Sequence, residues 1–392
     1  VAAASAAAQA GPAAGPAAEA VALSKASSRF SFRSIIPIQG PGAPINCPRP
    51  FRRIAMRRSF IRCFLCLILI FSCTVVWALP DYYTLWVPVD VEAQDPAAAY
   101  RPIASDDRYE PFEDLTWDHP LRIAVSSDPH FGRAESNAEA TKSIIRSVNE
   151  TEPAFHAFFV LGDITEFGFV DAHWLAAREA FAEFSRVPVV PLMGNHDDLM
   201  NGRSKFLRYL IPDATSETAR QTLWQRIDIG PVHFFKLNLL WGVEDWGPDV
   251  EAWLEEELAS IPREDWVVVL SHCFFYSSGQ YILGVPWFDH PETTTLIAPI
   301  LERHRIDLSI AGHNHHMELA THHGVFYTVV GAFGGVLSQT PFDHVSETSL
   351  WYRADTFGYA DLTFYPDQVL LVFRDPEGVA LKRFILPQNL AP

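Results

Sequence analysis

The sequence predicts a layered α/β domain over residues 119–392, with a mixed rather than wholly parallel sheet. Three observations predict it. Short apolar runs recur at 121–126, 155–161, 187–193, 266–271 and 306–311, and their unbroken apolarity is that of strands covered on both faces. Stretches of helical period fall between several of them, at about 137–149, 171–185, 249–260 and 293–304. In the second of these, Trp174, Leu175, Ala177, Phe181 and Phe184 gather near one helical face. From Gly324 onward strand-like segments dominate, at 325–330, 358–365 and 368–374. Residues 225–240 read as a strand pair turning at Gly230-Pro231. No internal repeat is evident.

The chain has 392 residues, 48% of them hydrophobic, with 11 Trp, enough for a sizeable core. Its formal net charge is −17 and is unevenly spread. Nine of the 30 basic and one of the 47 acidic side chains precede residue 79, leaving 21 basic against 46 acidic, a net of −25 for the remainder. Such a surface repels nucleic acid and anionic lipid headgroups, so nucleic acid is not expected as a partner. A small phosphoester is still admissible, because bound divalent metals reverse the local sign. Four of the five cysteines (Cys47, Cys63, Cys66 and Cys73) precede residue 79 and only Cys273 follows. Cysteine usage therefore says nothing about redox compartment.

Residues 1–55 are low in complexity, first Ala-rich and then rich in Ser, Pro and Arg, and are read as disordered or untranslated. Met56 is the first methionine. Arg57, Arg58 and Arg62 follow it, and then a 16-residue apolar run, Cys63 to Ala78. This is short for a spanning helix and the right length for a signal peptide. The segment 56–78 is read as a signal peptide, through either a twin-arginine or a general secretory route, or as a retained anchor. The first reading places the protein outside the cytoplasm, in a periplasmic or other extracytoplasmic space. The second tethers it to a membrane through residues 61–79. Residues 79–118, rich in Pro and Asp, are read as a linker or irregular arm.

The chemistry lies where the predicted strands end. Asp128-Pro129-His130 follows the first run and Gly162-Asp163 the second. Gly194-Asn195-His196-Asp197 follows the third, Ser271-His272 ends the fourth, and Gly312-His313-Asn314-His315 ends the fifth. Ligands bind beyond the carboxyl ends of strands in open α/β sheets, so these groups should share one rim. Imidazole, carboxylate and amide oxygen are ligands for borderline-to-hard divalent metals. One ion takes about four to six ligands. This set offers more, and two ions sharing one bridging carboxylate would use them. Each motif is weak by itself; the five in this order, each after a strand, are not.

These motifs resemble the calcineurin-like metallophosphoesterase superfamily over roughly residues 121–335. The resemblance implies a two-sheet mixed β-sandwich flanked by helices, with the site at one sheet edge. It further implies that Asp128, His130, Asp163 and His315 bind one metal. Asp163 would bridge to a second, completed by Asn195, His272 and His313. His196 would serve as the general acid and Asp197 would orient it. The implied cofactors are two divalent or mixed-valence ions, Mn, Fe or Zn, and the implied nucleophile is a metal-bridging hydroxide.

Within the superfamily, purple acid phosphatases would carry a Tyr ligand shortly after Gly-Asp, and Gly162-Asp163-Ile164-Thr165-Glu166 has none. Lipid A-precursor hydrolases tend to have Arg where His196 stands. The motifs look more like the cyclic-nucleotide phosphodiesterase-like group, which favours a phosphodiesterase acting on a small phosphoester. The alternatives are an exported phosphomonoesterase and, from another class, a metal-free binding scaffold. Glu166 is balanced between a supporting and a surface role. Tyr276, Tyr281, Trp287 and Phe288 read as a loop over the site, with Trp241 and Trp246 contributing similarly. His173, His316, His322 and His323 are read as hydrogen-bonded or solvated rather than as a third metal site.

Overall fold

A computed structural model describes residues 120–211 and 223–389. The segments assigned above to 1–55, 56–78 and 79–118 lie outside the described residues. So does the proposed tether. Among the described residues no helix is long and apolar enough to cross a membrane.

Two large mixed sheets are flanked by helices. The first runs β1 (Leu121–Ser126), β2 (Ala157–Leu161) and β3 (Val189–Leu192), mutually parallel. It is extended on the β1 side by antiparallel β13 (Tyr359–Phe364), β14 (Gln368–Arg374) and β15 (Ala380–Pro387). The second contains the hairpin β4 (Gln225–Ile229) and β5 (Val232–Leu237), with β6 (Trp266–Ser271) and β9 (Leu308–Ala311) parallel to β5. Beyond β9 it continues through β11 (Val325–Val330), β10 (Met317–His322) and β12 (Ser349–Arg353).

The apolar runs are continuous because each strand is buried on both sides. In β2, Phe159 and Leu161 face the core between the sheets, and Phe158 and Val160 face the flanking helices. β6 repeats this with Val268 and Leu270 inward and Val267 and Val269 outward. Phe159 meets Phe234 across the sandwich, ring centres 5.0 Å apart. Fully burying such side chains contributes about 1.5–3 kcal/mol each.

The flanking helices are α1 (Ala138–Glu150), α2 (Asp171–Ala182), the short α3 (Asn195–Asp198), α4 (Gly202–Leu210), α5 (Pro248–Ser260) and α6 (Ala298–His304). The stretch expected as one helix over 293–304 begins as a π-helix, Thr293–Ile297, before α6. The stretch expected as a plain loop after His272 contains a small hairpin, β7 (Gln280–Ile282) and β8 (Val285–Trp287).

Candidate metal centre

The loops after β1 and β2 continue the pairing of their strands. Asp128 N donates to Gly162 O (3.0 Å) and His130 N to Asp163 O (3.0 Å). That holds the two loops side by side where they leave the sheet. Four expected ligand residues take left-handed backbone: Asp128 (φ 60°), His130 (46°), Asp163 (47°) and His313 (68°). Each such residue costs about 1–3 kcal/mol and persists only where its surroundings enforce it. Two glycines make room. A Cβ on Gly194 would strike the amide and carboxylate of Asp163, and one on Gly162, itself at φ 93°, would strike the His272 ring.

The structure brings the expected residues together from both sheets. Asp128, His130, Asp163 and Asn195 come from the first sheet, and His272, His313 and His315 from the second. Ligand-capable atoms of Asp128, His130, Asp163 and His315 all lie within 4.8 Å of one another, as do those of Asp163, His272 and His313. Asp163 belongs to both groups. In the first group, His130 Nε2 is 3.2 Å from His315 Nε2 and 3.6 Å from Asp163 Oδ2. His315 Nε2 is 3.4 Å from Asp128 Oδ1, a buried oxygen without a hydrogen-bond partner. In the second, His272 Nε2 is 2.9 Å from Asn195 Oδ1, 3.0 Å from His313 Nδ1 and 3.3 Å from Asp163 Oδ1.

Protonation makes this a cation site. His272 Nδ1 is 2.7 Å from the Leu161 carbonyl, which can only accept, so Nδ1 keeps its proton and Nε2 is the nitrogen aimed into the cluster. Around Nε2 stand an amide oxygen, a carboxylate oxygen and another ring nitrogen. Buried acceptors facing acceptors at about 3 Å require positive charge between them. The same demand shows in the titration. Burial works against a charged His272, yet Asp163 beside it holds its pKa up to about 9. Burial and the neighbouring His272 keep His313 well below the ordinary histidine value. Asp163 lies well below the usual carboxylate range, because His272 and His130 outweigh its burial. The donor set therefore fits two divalent ions sharing Asp163.

His196 stands beside this cluster. Its amide donates to Asp163 Oδ1 (2.8 Å) and its Nδ1 lies 2.7 Å from the Glu166 carbonyl. The side chain is 26% exposed, against 0–18% for Asp128, His130, Asp163, His272 and His315, so it borders solvent beside the cluster.

Asp197 requires a correction. It was expected to orient His196, but both its oxygens bind the neighbouring loops. Oδ2 accepts from Ile164 N (3.0 Å) and Gly194 N (2.9 Å), and Oδ1 from Thr165 N (2.8 Å) and Thr165 Oγ1 (3.0 Å). Position i+1 in the short α3 turns its side chain back into the helix start, away from the His196 ring. Asp197 thus shapes the loops that carry Asp163 and Asn195.

Glu166, and not Asp197, is the acidic residue in contact with His196. Besides its carbonyl on His196, its Oε2 lies 2.9 Å from His130 Nδ1, close but not aligned as a hydrogen bond. Arg133 reaches both carboxylate oxygens, at 3.2 and 3.3 Å. Burial tends to raise the Glu166 pKa, but His130, His196 and Arg133 hold it below its usual value. A carboxylate behind a ligating imidazole fixes the tautomer and raises ligand basicity. Its place four residues after Gly162 was the available sequence signal.

Of the aromatic residues, Trp287 stacks on His313 (ring centres 4.8 Å) and Trp241 meets both edge-on, at 5.9 and 6.1 Å. Tyr276 instead stacks on His322 and Trp246 packs against Trp224. His316 binds buried Glu318 (3.0 Å), His322 and His323 bind Glu302 (2.6 and 2.9 Å), and His173 receives the Phe167 amide (3.3 Å).

Two mixed sheets thus present, at one end, a shared-carboxylate cluster of nitrogen and oxygen donors suited to divalent metal ions. The family model for calcineurin-like phosphoesterases matches residues 121–317, about half of the chain, and the protein belongs to that family, whose members use two metal ions. No curated protein sequence matches it. Among solved structures, the purple acid phosphatase PPD1 from yellow lupin (Lupinus luteus) seeds aligns at TM-score 0.56 and 19% identity, over 68% of this chain and 54% of that one. The present chain thus spans about half the length of that phosphatase. GAP50, the anchor in the inner membrane complex of Plasmodium, aligns at TM-score 0.50 and 14% identity over 69% and 89% of the two chains. A dimetal phosphatase from Danio rerio aligns at 0.50 and 13% over 68% and 99%. At these identities the likeness is one of fold.

Proposed function

We propose that the protein is an exported phosphodiesterase in which the two groups of ligands sharing Asp163 hold the metal pair and His196 is the general acid. One observation favours a diester. Among the described residues, no lysine or arginine pairs with any of the seven ligand residues, and Arg133 at the edge is held by Glu166. A diester carries one negative charge where a monoester dianion carries two, and so needs less cationic help beyond the metals. When bound, two ions supply an activated water and charge for the phosphoryl oxygens. The residues supply the rest. Asp128, Asp163, Asn195 and the four histidines would hold the ions in place. The Glu166 carbonyl accepts the Nδ1 proton of His196, which leaves Nε2 to deliver a proton to the departing oxygen. The apolar run ending at Ala78 supports export, with a mature chain beginning near Leu79.

The test is kcat/KM on bis(p-nitrophenyl) phosphate against p-nitrophenyl phosphate, each with Mn, Fe and Zn. The diester should be preferred at least tenfold with the best metal. A comparable preference for the monoester would replace this reading with a phosphomonoesterase.

A further inference from the structure

The β7–β8 hairpin carries the densest exposed apolar surface among the described residues. Tyr281 is 56% exposed, Ile282 46%, Leu283 100% and Val285 55%. Its two-residue turn places Leu283 (φ 53°) and Gly284 (φ 83°) in left-handed backbone, where Asn-Gly is the usual pair. A fully exposed leucine there adds strain and no core. The hairpin base is fastened to the body. Gly279 and His344 exchange backbone hydrogen bonds of 2.9 and 3.0 Å, and Tyr281 N donates to Asp343 Oδ2 (2.9 Å). At the end of β8, Trp287 stacks on His313 of the metal centre and meets Trp241, itself 47% exposed. One apolar surface therefore runs from the hairpin tip to the second ligand group.

Charge selects the occupant. From Cys273 to Phe288 there is no charged side chain, on a chain whose residues 79–392 carry a net −25. A neutral, apolar tip with Tyr and Trp at its base suits the interface of a zwitterionic bilayer, whereas the acidic body repels an anionic one. We infer that the β7–β8 hairpin inserts into a zwitterionic lipid surface and that the site takes its phosphoester from there, the ester's hydrocarbon chain lying along Trp287 and the hairpin. The catalytic half of this inference rests on the hydrolase reading above; the insertion half does not.

The experiment compares the full chain with its Leu283→Asp variant, altered at a fully exposed position. Hydrolysis is measured with Mn on hexadecyl p-nitrophenyl phosphate in phosphatidylcholine vesicles and on bis(p-nitrophenyl) phosphate in solution. Hydrogen exchange over 281–286 is followed with and without vesicles, which reads insertion locally and independently of turnover. The variant should lose at least tenfold in kcat/KM on the vesicle ester and stay within twofold on the soluble diester. Vesicles should protect the tip amides of the parent chain and not those of the variant. Equal rates on the vesicle ester, absence of protection, or stronger protection by anionic phosphatidylglycerol vesicles would each overturn the inference. A dimer that dissociates on Leu283→Asp with vesicle rates unchanged would assign the hairpin to a second copy of the chain and also overturn it. Tip protection with neither ester hydrolysed would support insertion and count against the hydrolase reading alone.

Discussion

The carbonyl oxygen of Glu166 lies 2.7 Å from Nδ1 of His196. A carbonyl can only accept, so Nδ1 keeps its proton whether the ring is neutral or cationic, and Nε2 is the nitrogen that exchanges one. A proton donor matters most when the departing oxygen is basic. His196→Ala should lower the rate on alkyl phosphodiesters by about 10²–10⁴, and much less on nitrophenyl esters, with metal content unchanged. Equal losses on both ester types, or the loss of one metal per chain, would move His196 into the ligand set.

Asp163 touches both ligand groups, with Oδ2 3.6 Å from His130 and Oδ1 3.3 Å from His272. Asp163→Ala should therefore abolish turnover and lower the content of both metals. Elemental analysis of the purified variant decides this, and two ions retained per chain would contradict the bridging role.

Glu166 separates two functions in one residue, because its carboxylate backs His130 and its carbonyl backs His196. Glu166→Gln removes only the carboxylate. It should weaken metal affinity or activity by about 10–100-fold, while the dependence of rate on the leaving group's pKa stays as in the parent. A changed leaving-group dependence would show that the side chain, and not the carbonyl, governs His196.

Asp197→Asn replaces an acceptor of four hydrogen bonds with a group that must turn an N–H toward some of the same donors. Each buried donor left unmet costs about 1–3 kcal/mol, so a loss of at least about 2 kcal/mol in denaturant unfolding is expected. The residual activity should keep the parent's leaving-group dependence. A stable variant that has lost only the acid function would restore the role in orienting His196.

Lys236 is buried in β5, and burial pulls its pKa down to about 8. The unfolded chain holds that proton up to about 10.4. Below pH 8 both states are protonated and the folded chain bears the full cost of the buried charge. Between about pH 8 and 10.4 the unfolded state binds more protons, so stability should rise with pH, by roughly 3 kcal/mol across the window relative to Lys236→Met. Parallel stability curves for parent and variant over this range would show that the ammonium is not destabilised by burial.

Much of this arrangement was legible because its signals are local. A strand buried on both faces reads as an unbroken apolar run, and the polar groups after 121–126, 155–161, 187–193, 266–271 and 306–311 mark the strand ends that face one another. β10 was not legible, since Glu318, buried on the face turned away from the core between the sheets, is a carboxylate held by Ser277, Ser278 and His316 and interrupts the apolar run. β15 was missed because it lies at a sheet edge and is partly exposed, as Lys382, Arg383 and Ile385 show. Left-handed backbone at Asp128, His130 and Asp163 has no sequence mark, since these are not the glycines that usually adopt it. The target of Asp197 was misread because a side chain's direction one residue after His196 depends on the turn of α3, which spacing alone does not reveal.

The ligand atoms come from opposite halves of the sandwich and from residues as far apart as Asp128 and His315. No short stretch of the chain can assemble either group, so either set of donors is complete only where both sheets have come together. Ions held there would clasp the two halves of the sandwich at the end where the loops leave both sheets.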